Sequence, residues 1–119
     1  QPDVALILEG TTAGDLPDAE GAARTCELGR GVVIPFMDGG SIYDRPLYEM
    51  LGALAEKNSL RWQTKTRVAG GTDASVIQRS GSGCRVAAIS VPVRNLHSPS
   101  CVARIDECED QYRLAKLFL

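Results

Sequence analysis

The chain has 119 residues, enough for one domain with a single modest core. An apolar fraction of 44% and a charged fraction of 24% are those of an ordinary globular protein, and aromatic residues are only 5%, so the core must be mostly aliphatic. A net charge of -2 without a basic stripe or aromatic platform argues against a nucleic-acid partner, and no apolar stretch approaches the roughly 20 residues of a membrane span.

The chain opens on Gln1-Pro2-Asp3 and enters a strand-like run with no signal-peptide pattern, so Gln1 reads as a cut end inside a longer protein. Val4 to Leu8 is continuously apolar between Pro2-Asp3 and Gly10, the pattern of a strand buried on both faces. Thr11 to Gly31, rich in Gly, Ala, Asp and Thr, reads as a long loop, and loops of that length tend to be functional. Val32 to Phe36 is a second strand-like piece, whose Pro35 argues for an edge position or a bulge. Asp38-Gly39-Gly40-Ser41 is a turn. Asp44 then suits an N-cap, with Pro46 in the first helical turn. Leu47, Met50, Leu51, Leu54 and Ala55 have the spacing of one buried helical face, and Asn58 can end that helix in the left-handed conformation.

Trp62, Thr64, Thr66 and Val68 alternate with Gln63, Lys65 and Arg67, as in a half-buried strand. Gly70-Gly71 breaks it, and Thr72 or Asp73 caps a short helix through Arg79, ended near Gly81. Val86 to Val93 is the second long apolar run. Asp106-x-x-Glu109 resembles a capping box, opening a helix whose Cys108, Tyr112, Ala115 and Phe118 share a face. Strands alternating with helices, two of the strands apolar throughout, predict an α/β sheet covered on both sides. Cys26, Cys84, Cys101 and Cys108 form no C-x-x-C pair, which excludes a zinc ribbon and favours free thiols in an intracellular chain.

In open α/β sheets, ligands bind beyond the carboxyl ends of the strands. Glu9 lies one residue past the first long apolar run, and His97, the only histidine, a few residues past the second. A carboxylate and an imidazole are common ligands for zinc, manganese or cobalt. The bland alternatives are a solvated loop glutamate and a hydrogen-bonded structural histidine.

The strings Glu9-Gly-Thr-Thr-Ala-Gly-Asp15, Gly70-Gly-Thr-Asp-Ala74 and Ile89-Ser-Val-Pro-Val-Arg-Asn-Leu-His-Ser98, in this order, resemble the tetrahedral or deblocking aminopeptidases. These are cytoplasmic dinuclear metallopeptidases, also called glutamyl aminopeptidases and, in older naming, cellulase M or endoglucanase. The resemblance covers nearly the whole chain and implies residues 1–119 of an α/β, mixed-sheet, zinc-peptidase-like (phosphorylase/hydrolase-like) catalytic domain with helices on both faces. It identifies the chain as a C-terminal portion, lacking the N-terminal half and the inserted dimerisation domain. It further implies that Glu9 is the terminal carboxylate ligand of one metal and His97 the terminal imidazole ligand of the other. The bridging ligand, the other histidine and the general-base glutamate come from earlier segments in the family, so no catalytic residue is expected in this chain.

The resemblance also implies two divalent ions, zinc, cobalt or manganese, a peptide substrate, and homo-oligomers from dimer to dodecamer in the full-length protein. Thr72, Gly71, Asp73 and Arg94 are substrate-binding candidates. Asp73 suits a helix N-cap equally well, and a surface ion pair is the simpler reading for Arg94. Thr11 and Asp15 are expected to shape the loop that orients Glu9, together with Thr12. The family often has Arg-Tyr before its His-Ser string, where this chain has Arg94-Asn95.

Two rivals remain at this point. A non-catalytic interaction module could keep the fold without the upstream ligands. A β-glucan hydrolase would need two facing carboxylic acids, for which Glu9 and Asp15 could be offered, leaving His97 without a role. The isolated chain is expected to be inactive, to hold metal weakly if at all, and to self-associate through sheet surfaces that the missing half would cover.

Overall fold

The last long strand is the axis of the molecule. In this computed structural model, which describes residues 2–17 and 24–119, β4 (Arg85–Val93) has eight of its nine residues buried. It is flanked by β1 (Val4–Thr12) on one side and β2 (Val32–Val33) on the other, with β3 (Trp62–Gln63) beyond β2. The sheet is mixed: β1 runs parallel to β4, β2 antiparallel to β4, and β3 parallel to β2. The helices are α1 (Arg45–Lys57), α2 (Ala74–Arg79) and α3 (Ile105–Phe118).

Strand alternation divides the core into two layers. Ala87 and Ile89 point toward α1 and α3, packing with Leu47, Leu51, Ala55 and Leu114. Val86 and Ala88 point the other way, with Ala74 of α2 and Tyr43. Helices therefore cover both faces, as the apolar runs predict.

The structure corrects several local expectations. β1 is an edge strand, only half-buried along most of its length, with Leu8 51% exposed, and it continues through Glu9 to Thr12. Pro35 lies outside β2, and β2 is interior, so neither an edge position nor a bulge is needed. The alternating stretch from Trp62 forms only two residues of strand, and Val68 is exposed. Asp44 does cap α1, accepting from the Leu47 amide at 3.0 Å, but Met50 is exposed. Asn58 has φ -103, and the left-handed residue is the next one, Ser59, at φ 56.

The capping box at α3 does not form. Asp106 sits inside the first turn and accepts from the Glu107 amide, while Arg104 occupies the cap position without capping the helix through its side chain, which donates to Asp106 instead. Cys108 and Tyr112 are exposed, and the buried face carries Glu107, Leu114 and Ala115. The four thiols are free, Cys26 buried and Cys101 and Cys108 exposed. The middle of the long loop, residues 18–23, and Gln1 lie outside the described residues.

Gly31 shows how tightly that loop seats. At φ +97 it lies where a Cβ would stand 2.1 Å from the Arg61 carbonyl oxygen, so only glycine fits. The amides of Gly29 and Gly31 both donate to Glu107 Oε1, at 2.9 and 2.8 Å, pinning the loop to α3.

Candidate functional site

Glu9 stands opposite Ser90 in the parallel register of β1 and β4. Its parity matches Ala5 and Ile7, which pack on the α2 face, so the Glu9 and Ser90 side chains leave the sheet on that face. A cavity of about 600 Å³ opens there. Glu9, Thr11, Gly71, Thr72 and His97 all line it. The chain thus brings together its two metal-ligand candidates and two of its substrate-binding candidates at the carboxyl ends of its long strands, where ligands of α/β sheets bind.

His97 arrives from the loop after β4. Its backbone is left-handed at φ 65, as is Asn95 at φ 54, and its side chain is exposed toward the cavity that it lines. Glu9, by contrast, is half-buried within a strand. Burial lifts its carboxyl above the ordinary value and the charge of Asp38 adds to the rise, while Lys65 and the Ser90 hydroxyl oppose it and Asp73 adds a smaller push.

Asp38 enters from the 38–41 turn. Its Oδ1 accepts from the Gly40 and Ser41 amides at 2.8 and 2.7 Å, and its Oδ2 accepts from the Tyr43 hydroxyl at 2.7 Å. The Thr72 hydroxyl lies 3.1 Å from the Tyr43 oxygen and accepts from the Ala74 amide. Since the single Tyr43 proton goes to Asp38, Thr72 donates to Tyr43. Burial, first of all, raises the Tyr43 phenol well above its usual value, so it stays a donor at any working pH. The short helix α2 is therefore capped by Thr72, and Asp73, in αR geometry, makes no side-chain cap bond. Asp73 is also not among the residues lining the cavity.

Arg94 and Asp15 find each other. The guanidinium donates from both Nε and one terminal nitrogen to the two Asp15 oxygens, each at 2.8 Å, and Asp15 Oδ2 also accepts from the Leu28 amide at 2.9 Å. Neither residue lines the cavity. The Arg94 hydrogen bond chiefly holds the Asp15 carboxyl below its ordinary value. Behind Glu9, the Gln111 side-chain amide donates to the Glu9 and Ile89 carbonyls at 2.9 and 2.6 Å, bracketing β1 and β4 from α3.

Sequence reasoning missed Asp38, Tyr43, Lys65, Ser90 and Gln111 as parts of this neighbourhood. Ser90 had a signal: it is the one polar residue within the apolar run Val86 to Val93. Asp38 was legible only as a turn residue, and nothing local marks Tyr43.

Glu9 and His97 offer a carboxylate and an imidazole from two separate elements at one cavity, donor chemistry suited to zinc, cobalt or manganese. The Glu9 carboxyl is faced by both a second carboxylate, Asp38, and the ammonium of Lys65, which push its pKa in opposite directions. The residues fit a metal pair as a partial set. Among the described residues no group of three His, Cys, Asp or Glu could hold an ion, and a closed site needs at least three protein donors.

Comparison with known proteins shows what the chain is similar to and how much of those proteins it spans. The lysyl aminopeptidase of Pyrococcus furiosus is 30% identical over 119 residues, covering 99% of this chain and 33% of its own length. The solved aminopeptidase APDkam598 of Desulfurococcus kamchatkensis superimposes with a TM-score of 0.93 at 35% identity, covering 98% of this chain and 34% of that one. The TET aminopeptidase of Thaumarchaeota archaeon SCGC AB-539-E09 gives 0.91 at 30% identity, over 98% and 33%. Two further structures bear on assembly and on the sugar-hydrolase rival. They are the Pyrococcus horikoshii TET1 peptidase, which can assemble into a tetrahedron or a large octahedral shell (0.65, 30%, 95% and 31%), and a Thermotoga maritima protein named endoglucanase (0.73, 27%, 98% and 33%). The chain spans about a third of the length of the relatives that it matches. The family model for the M42 glutamyl aminopeptidases matches residues 1–114, and the chain belongs to that family.

Proposed function

We propose that this chain is the C-terminal portion of the catalytic domain of a metal-dependent aminopeptidase, and that it supplies Glu9 to one metal and His97 to the other. The observation that supports this most directly is that these two residues, from opposite ends of the sequence, line one cavity at the carboxyl ends of β1 and β4. When bound, a pair of zinc, cobalt or manganese ions supplies carbonyl polarisation and a water of lowered pKa. The bridging ligand, the remaining histidine and the general base belong to the two thirds of the relatives' length that this chain does not span.

The chain's own residues hold and shape. Gly71 and Thr72 line the cavity beside Glu9 and form a wall for the amino-terminal residue of a peptide. The buried Thr11 supports the end of β1 just past Glu9. Thr72 and Tyr43 pass a hydrogen-bond chain to Asp38, which fixes that wall without using the Glu9 oxygens. A homo-oligomeric assembly of the full-length protein, from dimer to dodecamer, and a cytoplasmic setting go with this reading. Free thiols suit a reducing compartment, and no helix among the described residues is long and apolar enough to cross a membrane.

A sugar-hydrolase reading draws on the Thermotoga maritima relative's name. It asks for two carboxylic acids facing across a cleft. Asp15 is bound to Arg94 and absent from the cavity, so Glu9 and Asp15 are not that pair. The test is His97→Ala in the full-length protein. Metal-dependent hydrolysis of a leucine or glutamate anilide should be lost, and retained activity would remove the assignment.

A further inference from the structure

Two ligands on separate elements can serve one metal pair only if their separation is fixed. Glu9 is fixed by its strand. His97 is carried by a loop that holds two non-glycine residues, Asn95 and His97, in left-handed geometry. Such a loop persists where its base is over-determined by its surroundings.

The base is closed at Arg94. Its backbone exchanges two hydrogen bonds with Val102, at 2.9 and 3.1 Å, and its side chain forms the two-bonded pair with Asp15. The Asp15 side chain is only 6% exposed and lies just past β1, the strand that carries Glu9. In the same stretch the Ala13 amide donates to the Val93 carbonyl at 2.9 Å, so the exits of β1 and β4 are joined by backbone as well. Asp15 reaches a third segment through the Leu28 amide. The planar guanidinium fork fixes orientation as well as distance, which a point charge such as lysine does not.

We infer that Asp15 and Arg94 form a positioning clasp that sets the Glu9–His97 separation, so that losing the pair weakens metal binding while the fold stays intact. This rests on Glu9 and His97 being metal ligands. It also moves Arg94 from contact with the substrate to control of the site's geometry.

The experiment uses the full-length metal-free protein titrated with cobalt or zinc, well below its melting temperature. Arg94→Gln, Asp15→Asn, the double variant and Arg94→Lys are compared with the parent. Arg94→Gln and Asp15→Asn are each expected to weaken the affinity for the metal at His97 at least tenfold. The double should lose no more than either single, because both break one unit. Arg94→Lys should fold normally, as shown by its circular dichroism, and still lose several-fold in affinity. Metal affinities within twofold of the parent in Arg94→Lys and in either other single variant would overturn the clasp. A parallel titration of His97→Ala separates the two readings. If it binds both metals as the parent does, the ligand assignment fails and the clasp with it. If it loses one metal while the clasp variants keep both, only the clasp fails.

Discussion

β1 and β4 are two nine-residue strands lying side by side in parallel register, and in sequence each reads as a buried run. Their fates differ. β4 has neighbours on both edges and helices on both faces, and eight of its residues are buried. Among the described residues β1 has one neighbour, and Leu8, apolar in sequence, is half exposed. Burial on both faces is therefore a property of place in the sheet, and the apolar pattern alone does not assign that place. A continuous apolar run says that a strand is meant to be covered. It does not say that this chain supplies the cover.

The sharpest way to break the comparison is truncation at matched positions. Ile89→Ala, at a fully buried site, should cost about 3–4 kcal/mol, whereas Leu8→Ala should cost less than about 1 kcal/mol, measured by urea unfolding. Equal losses would mean that β1 is covered as well as β4.

A second contrast lies in the carboxylates that each strand's surroundings hold. Asp15, past β1, has its pKa lowered, first by the hydrogen bond from Arg94. Its folded state binds fewer protons than the unfolded chain, so its contribution is present above about 3.8 and is lost as pH falls through its folded value. Glu107, on the helix that packs over β4, has its pKa raised, chiefly by burial and against the donations from Gly31 and Gly29. Its sign is opposite: the contribution is full below about 4.5 and is lost as pH rises through the raised folded value. Unfolding free energies followed across the acid range should show the fall toward low pH shallower in Asp15→Asn. In Glu107→Gln the loss on raising pH above about 4.5 should shrink. A common slope change in both variants would contradict the assignment.

The smallest expected effect concerns the open edge itself. A strand with unpaired backbone groups and an exposed leucine invites pairing with a second copy. Leu8→Lys in the isolated chain should lower its association in sedimentation without changing its fold. A parent chain that is monomeric at high concentration would remove the edge as a sticking point.

The parts of the fold that were legible in sequence are those governed by local chemistry. Asp44 and Pro46 mark the start of α1 because a cap and an N-terminal proline act within one turn. Val86 to Val93 marks β4 because no polar residue but Ser90 interrupts it. What failed depended on partners distant in sequence. Cys108 and Tyr112 were grouped with Ala115 and Phe118 on one face of α3, but they are exposed, and Glu107 and Gln111 have the partners on the covered side: one receives two loop amides and the other donates to two strand carbonyls. A polar side chain goes inward when it satisfies backbone that would otherwise be buried unpaired, and no helical periodicity reports that.

The site divides along the same line. Glu9, His97, Gly71 and Thr72 were found through motif strings and do share a cavity. Asp15 was placed near Glu9, and Arg94 either near substrate or in an ion pair; the ion pair forms, but its partner was not legible because 79 positions separate the two residues.

Gln111 has one consequence of a different kind. The Glu9 carboxylate has charged neighbours, Asp38 and Lys65. The group that aligns Glu9 with Ile89 is a carboxamide, which exchanges no proton in the biological range and carries no net charge. The frame that holds the two strands level is thus electrically silent. A change in the charge of the Glu9 carboxyl leaves the hydrogen-bonding capacity of that bracket unchanged.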